Sequence, residues 1–288
     1  MDSLIRKKMD YLIIGHLTQD LQSDDSFRLG GTAAYSGLCA QALGHEVKVL
    51  TSLSTEASLE ALQNMAISLV PSDKSTVFRN ISTEKGRVQY LHSRASQIKP
   101  SDLSQTRANP AIVHIAPVID DIDPSMLSLF PNSLVCLTPQ GWMRKADENG
   151  LIHPIPLEGL DQWLAYAQVV VLSIEDLQGD MNEAERLAKL VPILVVTQRD
   201  KGALVYWQNK PMHFPAPEIS LVDDTGSGDI FAACFFHHFY LHQNAFQAAR
   251  FAVDLASRSV TREWLDSIPT QEEIQQANQL ALEQVLYG

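Results

Sequence analysis

Short, mainly apolar runs recur along the chain: Tyr11 to Ile14, Val47 to Leu50, Ala111 to Ile115, Leu134 to Leu137, Val169 to Leu172 and Ile193 to Val196. Consecutive rather than alternating apolar positions predict strands buried on both faces. Helical stretches lie between several of them. Thr32 to Leu43 predicts a helix stopped by Gly44, and Asn182 to Leu190 predicts another. Buried strands separated by helices imply a mostly parallel sheet covered on both sides. Two segments break the alternation. Thr76 to Ser82 and Arg87 to His92 flank Thr83-Glu84-Lys85-Gly86 and predict a hairpin with polar faces, and Ala203 to Trp207 and Pro211 to Phe214 predict a second around Gln208-Asn209-Lys210. The C-terminal part is helical, over Gly228 to His242, Ala245 to Val260 and Gln271 to Tyr287. With no internal repeat and no Pro/Ser-rich linker, the expectation is a single three-layer α/β domain over residues 1–288 with a small β excursion.

Composition narrows the function classes. Hydrophobic residues make up 45% and charged residues 19%, which suits a chain with a sizeable core rather than disorder. The formal net charge of −12 argues against a nucleic-acid or anionic-membrane partner, since both require a positive field. A local pocket can still bind an anion through backbone N–H groups. No apolar run is long enough to span a membrane, and Arg6-Lys7-Lys8 is followed by too short an apolar stretch for a secretory signal. The three cysteines, Cys39, Cys136 and Cys234, give neither a disulfide framework nor a metal cassette. The expectation is a cytoplasmic protein.

The segment richest in chemistry is Asp223-Asp224-Thr225-Gly226-Ser227-Gly228-Asp229, which opens directly into the apolar helix Ile230 to Phe236. Two glycines flanking a serine let several N–H groups turn toward one point, and the helix start adds its positive dipole end. Gly226, Ser227 and Gly228 thus predict an anion hole, with Asp229 beside it as a base for an attacking hydroxyl. The plainer alternative is a tight turn in which Asp229 only stabilises the helix start. Neither familiar nucleotide motif applies: Phe231 stands where G-x-G-x-x-G needs its third glycine, and no Gly-Lys-Ser/Thr follows.

Asp224-Thr225-Gly226-Ser227-Gly228-Asp229 resembles the D-T-G-A-G-D signature of the ribokinase-like (PfkB) carbohydrate kinases. Leu29-Gly30-Gly31-Thr32-Ala33-Ala34-Tyr35 resembles that family's di-glycine segment, and Asp20 falls where it has a sugar-binding aspartate. Thr197 to Gly202, followed by Ala203 to Tyr206, resembles the nucleotide-side loop and strand, and Ile268-Pro269-Thr270 fits the C-terminal pattern. The resemblance implies a ribokinase-like three-layer α/β/α sandwich with a mostly parallel central sheet and small lid elements around 16–30 and 76–92. It implies Asp229 as catalytic base, Gly226, Ser227 and Gly228 as the anion hole, and Asp20, Gly30 and Gly31 in the substrate site. Thr197, Arg199, Gly202 and Thr225 would face the nucleotide. ATP and Mg²⁺ are the implied cofactors, with room for a monovalent cation, and the implied state is a monomer or homodimer. Phosphoryl transfer relies on alignment and charge stabilisation, so backbone donors, Mg²⁺ and one carboxylate suffice.

The chain departs from the family pattern in places. Ser173 and Asp176 replace an Asn-x-x-Glu pair that organises Mg²⁺ and its waters; Asp176 keeps a carboxylate and Glu175 is adjacent, so both remain candidates for indirect metal contact through water. Arg199 replaces a glycine in the nucleotide loop, Tyr35 replaces an asparagine near the sugar, and Ser54 stands where a glycine usually precedes an aspartate. Tyr35 and the Gln140 to Arg144 spacing are similar to the inositol-kinase branch, in which Gln140 and Arg144 would bond a polyol with Trp142 as an apolar wall. Arg87, on the first hairpin, is a further candidate for the substrate pocket. His238 and His242 are spaced i, i+4, and a partly buried pair is the simpler reading than a metal site. The leading expectation is an ATP- and Mg²⁺-dependent kinase acting on a hydroxyl of a small sugar or polyol, with an inositol among the candidates. The alternatives are a nucleoside kinase of the same fold and a catalytically weak ligand-binding regulatory homologue.

Overall fold

The first apolar run is buried on two sides because it separates two cores. In the computed structural model, which describes residues 9–54, 58–83, 86–105 and 109–283, strand β1 (Asp10–Ile14) sends Tyr11 and Ile13 into one core and Leu12 and Ile14 into the other. The chain continues through β2 (Thr18–Leu21), β3 (Phe27–Gly30), α1 (Thr32–Ala42), β4 (Glu46–Leu53), β5 (Ala66–Pro71), β6 (Thr76–Thr83), β7 (Gly86–Ser93), β8 (Ile112–Ile115) and β9 (Leu134–Leu137). It proceeds through β10 (Arg144–Ala146), β11 (Ile152–Pro154), α2 (Asp161–Leu164), β12 (Val169–Ser173), α3 (Met181–Leu187), β13 (Ile193–Thr197), β14 (Ala203–Trp207) and β15 (Lys210–Phe214). It closes with α4 (Ser227–His242), α5 (Ala245–Ser259) and α6 (Gln271–Glu283); the part of the expected last helix beyond Glu283 lies outside the described residues.

The nine strands of the main sheet run in the order β15-β14-β13-β12-β9-β8-β1-β4-β5. Pairing is parallel from β5 to β13, and β14 and β15 add an antiparallel edge. Side chains of α1, α4, α5 and α6 fill one core. The other face is covered by lighter pieces, α2, α3 and the 3₁₀ turn Pro124–Leu129. The architecture is therefore the expected α/β/α sandwich. Helix α4 is apolar all round because it is enclosed all round: every residue from Ile230 to Phe239 is buried.

A second sheet, in the order β3-β2-β6-β7, stands beside the C-terminal end of β1 as the lid. The sequence shows only its β6–β7 hairpin clearly; Glu84 and Lys85 of the expected turn lie outside the described residues. The β2–β3 hairpin falls in the 16–30 segment that only the family resemblance marks, and it joins β6 through a parallel β2–β6 pairing. The second expected hairpin turns more tightly than its sequence suggests. Trp207 pairs with Lys210, leaving Gln208 and Asn209 as a two-residue turn, both at positive φ (53° and 60°).

Candidate active site

Two motifs far apart in sequence meet where the first turns of α1 and α4 touch. The Thr32 side chain hydrogen-bonds the Asp229 carboxyl, and the Ser36 hydroxyl donates to the Asp229 carbonyl at 2.9 Å. Gly226, at the cap of α4, has φ of 78° and lies so close to the Tyr35 ring that a Cβ there would sit 2.2 Å from a ring carbon. Upstream, Asp223 organises the loop by accepting from the Thr225 N–H at 2.9 Å and the Trp264 N–H at 3.2 Å. The N–H groups left open at this helix start differ in one respect from the expected Gly226-Ser227-Gly228 trio. The Ser227 N–H is directed to the Asp224 carbonyl at 3.2 Å, so the N–H groups of Gly228 and Asp229 are the first-turn donors without a helical partner.

Asp229 is half-buried, but its carboxyl is ringed by protein, and desolvation pushes its pKa up to about 6. The Thr32 hydrogen bond and the positive charge of Arg144 oppose that rise, while the charge of Asp176 adds to it. These interactions place Arg144 and Asp176 beside the Asp229 carboxyl. Burial also raises the Asp176 pKa, against hydrogen bonds from the Ser173 N–H (2.8 Å) and Gln140 Nε2 (3.4 Å) and the charge of Arg144. Glu175 is exposed and salt-bridged to Arg199, and its charge adds to the rise at Asp176. Arg199 sits at φ of 54°, a left-handed conformation at the position where the family pattern has glycine. Thr197 ends β13, bonding the Leu172 carbonyl at 3.3 Å, and Gly202 closes the Arg199 turn before β14.

The lid adds a continuous polar ribbon. Asn80 donates to Asp20 (3.2 Å), Gln89 donates to Asn80 (2.8 Å), and Arg144 Nη1 donates to Gln89 (2.9 Å). The Arg144 guanidinium also lies 5.2 Å above the Phe78 ring. Gly30 lies directly under this ribbon, where a Cβ would come within 2.5 Å of an Asp20 carboxylate oxygen, and Gly31 caps α1. The structure thus brings together Asp20, Gly30, Gly31, Gln140, Arg144, Asp176 and Asp229. Two expected roles change. Tyr35 is only 2% exposed and lies beneath the hole, so it buttresses Gly226 instead of facing a substrate. Trp142 is buried in the core with its indole N–H bonded to the Ile122 carbonyl at 3.0 Å, so it is no wall of the pocket. The Arg87 side chain lies outside the described residues. His238 is buried against Phe251 and His242. Sequence reading missed Thr32, Asn80 and Gln89; the last two are an aligned cross-strand pair on β6 and β7, visible only once those strands are in register.

A glycine-bounded helix start carrying the Asp229 carboxylate thus lies beside polar side chains of the lid sheet, in an α/β/α sandwich of the ribokinase fold. The sequence profile of the pfkB family carbohydrate kinases matches residues 108–271, more than half of the chain. The chain belongs to that family. Among curated relatives, the deoxyribokinase of Salmonella typhi is 37% identical over 68 residues, a stretch that covers 24% of this chain and only 22% of the relative. Among solved structures, a pyrophosphate-dependent kinase of the ribokinase family in a sulfate complex matches with a TM-score of 0.80 at 20% identity, over 93% of this chain and 99% of that one. Ribokinase from Thermotoga maritima matches at 0.70 and 18% identity over 94% and 99%. The nucleoside kinase of Methanocaldococcus jannaschii matches at 0.72 and 16% over 95% and 99%. At these identities the structural matches establish the fold.

Proposed function

We propose that this chain transfers a phosphoryl group to a hydroxyl of a small sugar or polyol, with Asp229 as general base. The observation that carries the reading is the Asp229 carboxyl, held at the start of α4 between the Thr32 hydroxyl and the charges of Arg144 and Asp176. The acceptor hydroxyl would bond Asp229, which takes its proton as the phosphoryl group arrives over the Gly228 and Asp229 N–H groups. Asp20, Asn80, Gln89 and Arg144 offer both donors and acceptors to the remaining hydroxyls, and the lid excludes water. An inositol suits this pattern of closely spaced polar groups. The aromatic rings at the cluster, Tyr35 and Phe78, are 2% and 3% exposed, so neither offers a face to a nucleobase, which favours a polyol over a nucleoside. The carboxylate of Asp176 fits a hard, water-shelled cation such as Mg²⁺, and its burial without a cationic hydrogen-bond partner agrees with that; Glu175, engaged by Arg199, stands aside from it. A magnesium ion would there neutralise phosphate charge and hold the donor in line.

ATP is the donor the family resemblance implies. Arg199 favours a second reading for the donor alone, because an exposed, left-handed arginine where the family has glycine could exchange its Glu175 partner for a donor phosphate. Pyrophosphate is such a donor, as in the pyrophosphate-dependent kinase that shares this fold. ATP and pyrophosphate assayed side by side decide the matter. If pyrophosphate is used, Arg199→Gly should raise its KM about tenfold or more and spare that of ATP; equal effects on both donors would remove Arg199 from donor choice. The base is tested across a panel of sugars, inositols and nucleosides. Asp229→Asn should stay folded, keep donor affinity and lose about 10²–10⁴-fold in kcat. Full turnover by the folded variant would overturn the assignment.

A further inference from the structure

His16 and Asp121 form a fully buried polar pair outside the cluster just described, each 0% exposed. His16 lies between the end of β1 and the start of β2. Its Nδ1 is 2.8 Å from the Thr76 hydroxyl and 3.3 Å from an Asp121 carboxylate oxygen, and its Nε2 is 3.0 Å from the Ser96 carbonyl. Thr76 opens β6, and Ser96 follows the end of β7; the Thr76 hydroxyl also accepts from the Ala95 N–H at 3.0 Å. One imidazole therefore holds the roots of three of the four lid strands. On its other side, Asp121 Oδ1 accepts from the N–H groups of Val118 (2.7 Å) and Ile119 (2.9 Å), fixing the loop between β8 and the 3₁₀ turn Pro124–Leu129. The Val118 carbonyl in that loop accepts from Arg144 Nε. The loop is braced further from the Gly141 N–H to the Pro117 carbonyl (2.9 Å) and from the Asp120 N–H to the Gly141 carbonyl (2.7 Å).

We propose that the His16–Asp121 pair is a positioning device that ties the seating of the lid to the aim of Arg144 at Asp229. The inference rests on the reading of Asp229 as base. Arg144 is held from two directions, by Gln89 of the lid and by the Val118 carbonyl of the loop, and the His16–Asp121 pair is the side-chain contact between lid roots and loop, beside the backbone bridge of Ile98 to Ile122. Stability is an insufficient reason for such a pair, because a buried pair of ionisable groups gains little over a well-packed apolar one. Asp121 Oδ2 approaches the His16 ring at 3.3 Å without a hydrogen-bond partner, and a buried polar atom left unpaired calls for a reason other than stability. Misplacing a catalytic neighbour by about 1 Å costs on the order of 10²-fold in rate.

The test is a double-mutant cycle between Asp121 and Arg144, with melting curves recorded for each variant. Asp121→Ala should lower kcat roughly 10- to 100-fold. Asp121→Asn, which keeps an oxygen for the Val118 and Ile119 N–H groups, should recover most of that loss. In an Arg144→Gln background, Asp121→Ala should cost less than about threefold more, because the group it positions is gone. Equal losses with and without Arg144, or a folded Asp121→Ala with unchanged kinetics, would overturn the proposal. If Asp121→Ala does not fold, Thr76→Val takes its place in the cycle; it removes only the hydroxyl between His16 and the lid. The Arg144 Nε–H resonance supplies a readout independent of turnover. It should lose its protection from exchange in the disrupted variant and keep it in Asp121→Asn, and retained protection in both would also overturn the proposal. Wild-type protein inactive on every acceptor would count against the function reading alone, since the resonance still judges the pair.

Discussion

The carboxyl of Asp229 is poised by opposing neighbours. Desolvation drives its pKa upward, and the Thr32 hydroxyl and the Arg144 charge restrain it at about 6. On the proposal that Asp229 is the base, it must be ionised to accept a proton, so kcat/KM should fall as pH drops through about 6, with the slope of a single proton. Arg144 favours the ionised form, and removing its charge should move the acid limb to higher pH. Arg144→Gln, followed by a pH–rate profile of kcat/KM, checks this; an acid limb that stays in place would separate Arg144 from the base. The same residue-scale view explains the legibility of the centre. Asp229 and Gly226 are readable because a helix start is a local object, fixed by residues adjacent in sequence. Asp20, Asn80, Gln89 and Arg144 are joined across 60, 9 and 55 positions. Spacing marks Asp20 and Arg144 only through resemblance, and gives no sign of the two between them.

At the scale of elements, strands buried on both faces are visible in sequence because every position is constrained. In β12, Val169 and Val171 fill one core and Val170 and Leu172 the other, and β13 repeats the pattern with Ile193, Val195, Leu194 and Val196. The lid strands β2 and β3 carry no such imprint. Thr18-Gln-Asp-Leu21 and Phe27-Arg-Leu-Gly30 are short and largely half-exposed, and their strand form comes from pairing with each other and with β6. The α1 and α4 starts approach tightly where Gly226 meets the ring of Tyr35. Gly226→Ala should therefore destabilise the protein by at least about 1–2 kcal/mol, from the left-handed backbone alone, with the ring clash added. Tyr35→Ala in the same chain relieves only the clash, so the double variant should be more stable than additivity of the two single changes predicts. Denaturant melts of the four proteins measure this, and strict additivity would show that the ring does not press on Gly226.

Across the whole molecule, the α1–α4–β1 side of the sheet is fastened by histidines held neutral by burial. His45 Nε2 lies 2.8 Å from His237 Nδ1, and both rings are almost wholly enclosed. His114 sits between Tyr11 and Phe236 with Nε2 3.0 Å from the Thr138 hydroxyl. Desolvation lowers the pKa to about 4 for His45 and His238 and to about 3 for His114 and His237, with neighbouring histidines adding to the drop for the last. In the unfolded chain these groups titrate near the ordinary 6.5. Between pH 6.5 and about 4 the unfolded state therefore binds protons that the folded state refuses, so stability rises with pH and is lost on acidification, by about 1.4 kcal/mol per pH unit for each such proton. Asp229 acts in the opposite sense, because its raised pKa lets the folded state hold a proton in part of the same window; it is one group against four. His238 isolates the effect, since neither ring nitrogen has a hydrogen-bond partner and the ring packs on Phe251. His238→Phe removes an unsatisfied buried polar ring and one refused proton together. The variant should melt higher than wild type at pH 5, by more than at pH 7.5, and its Tm should depend less steeply on pH. Melting curves from pH 4.5 to 8 measure both quantities, and an unchanged pH slope in His238→Phe would exclude this histidine from the acid sensitivity of the fold.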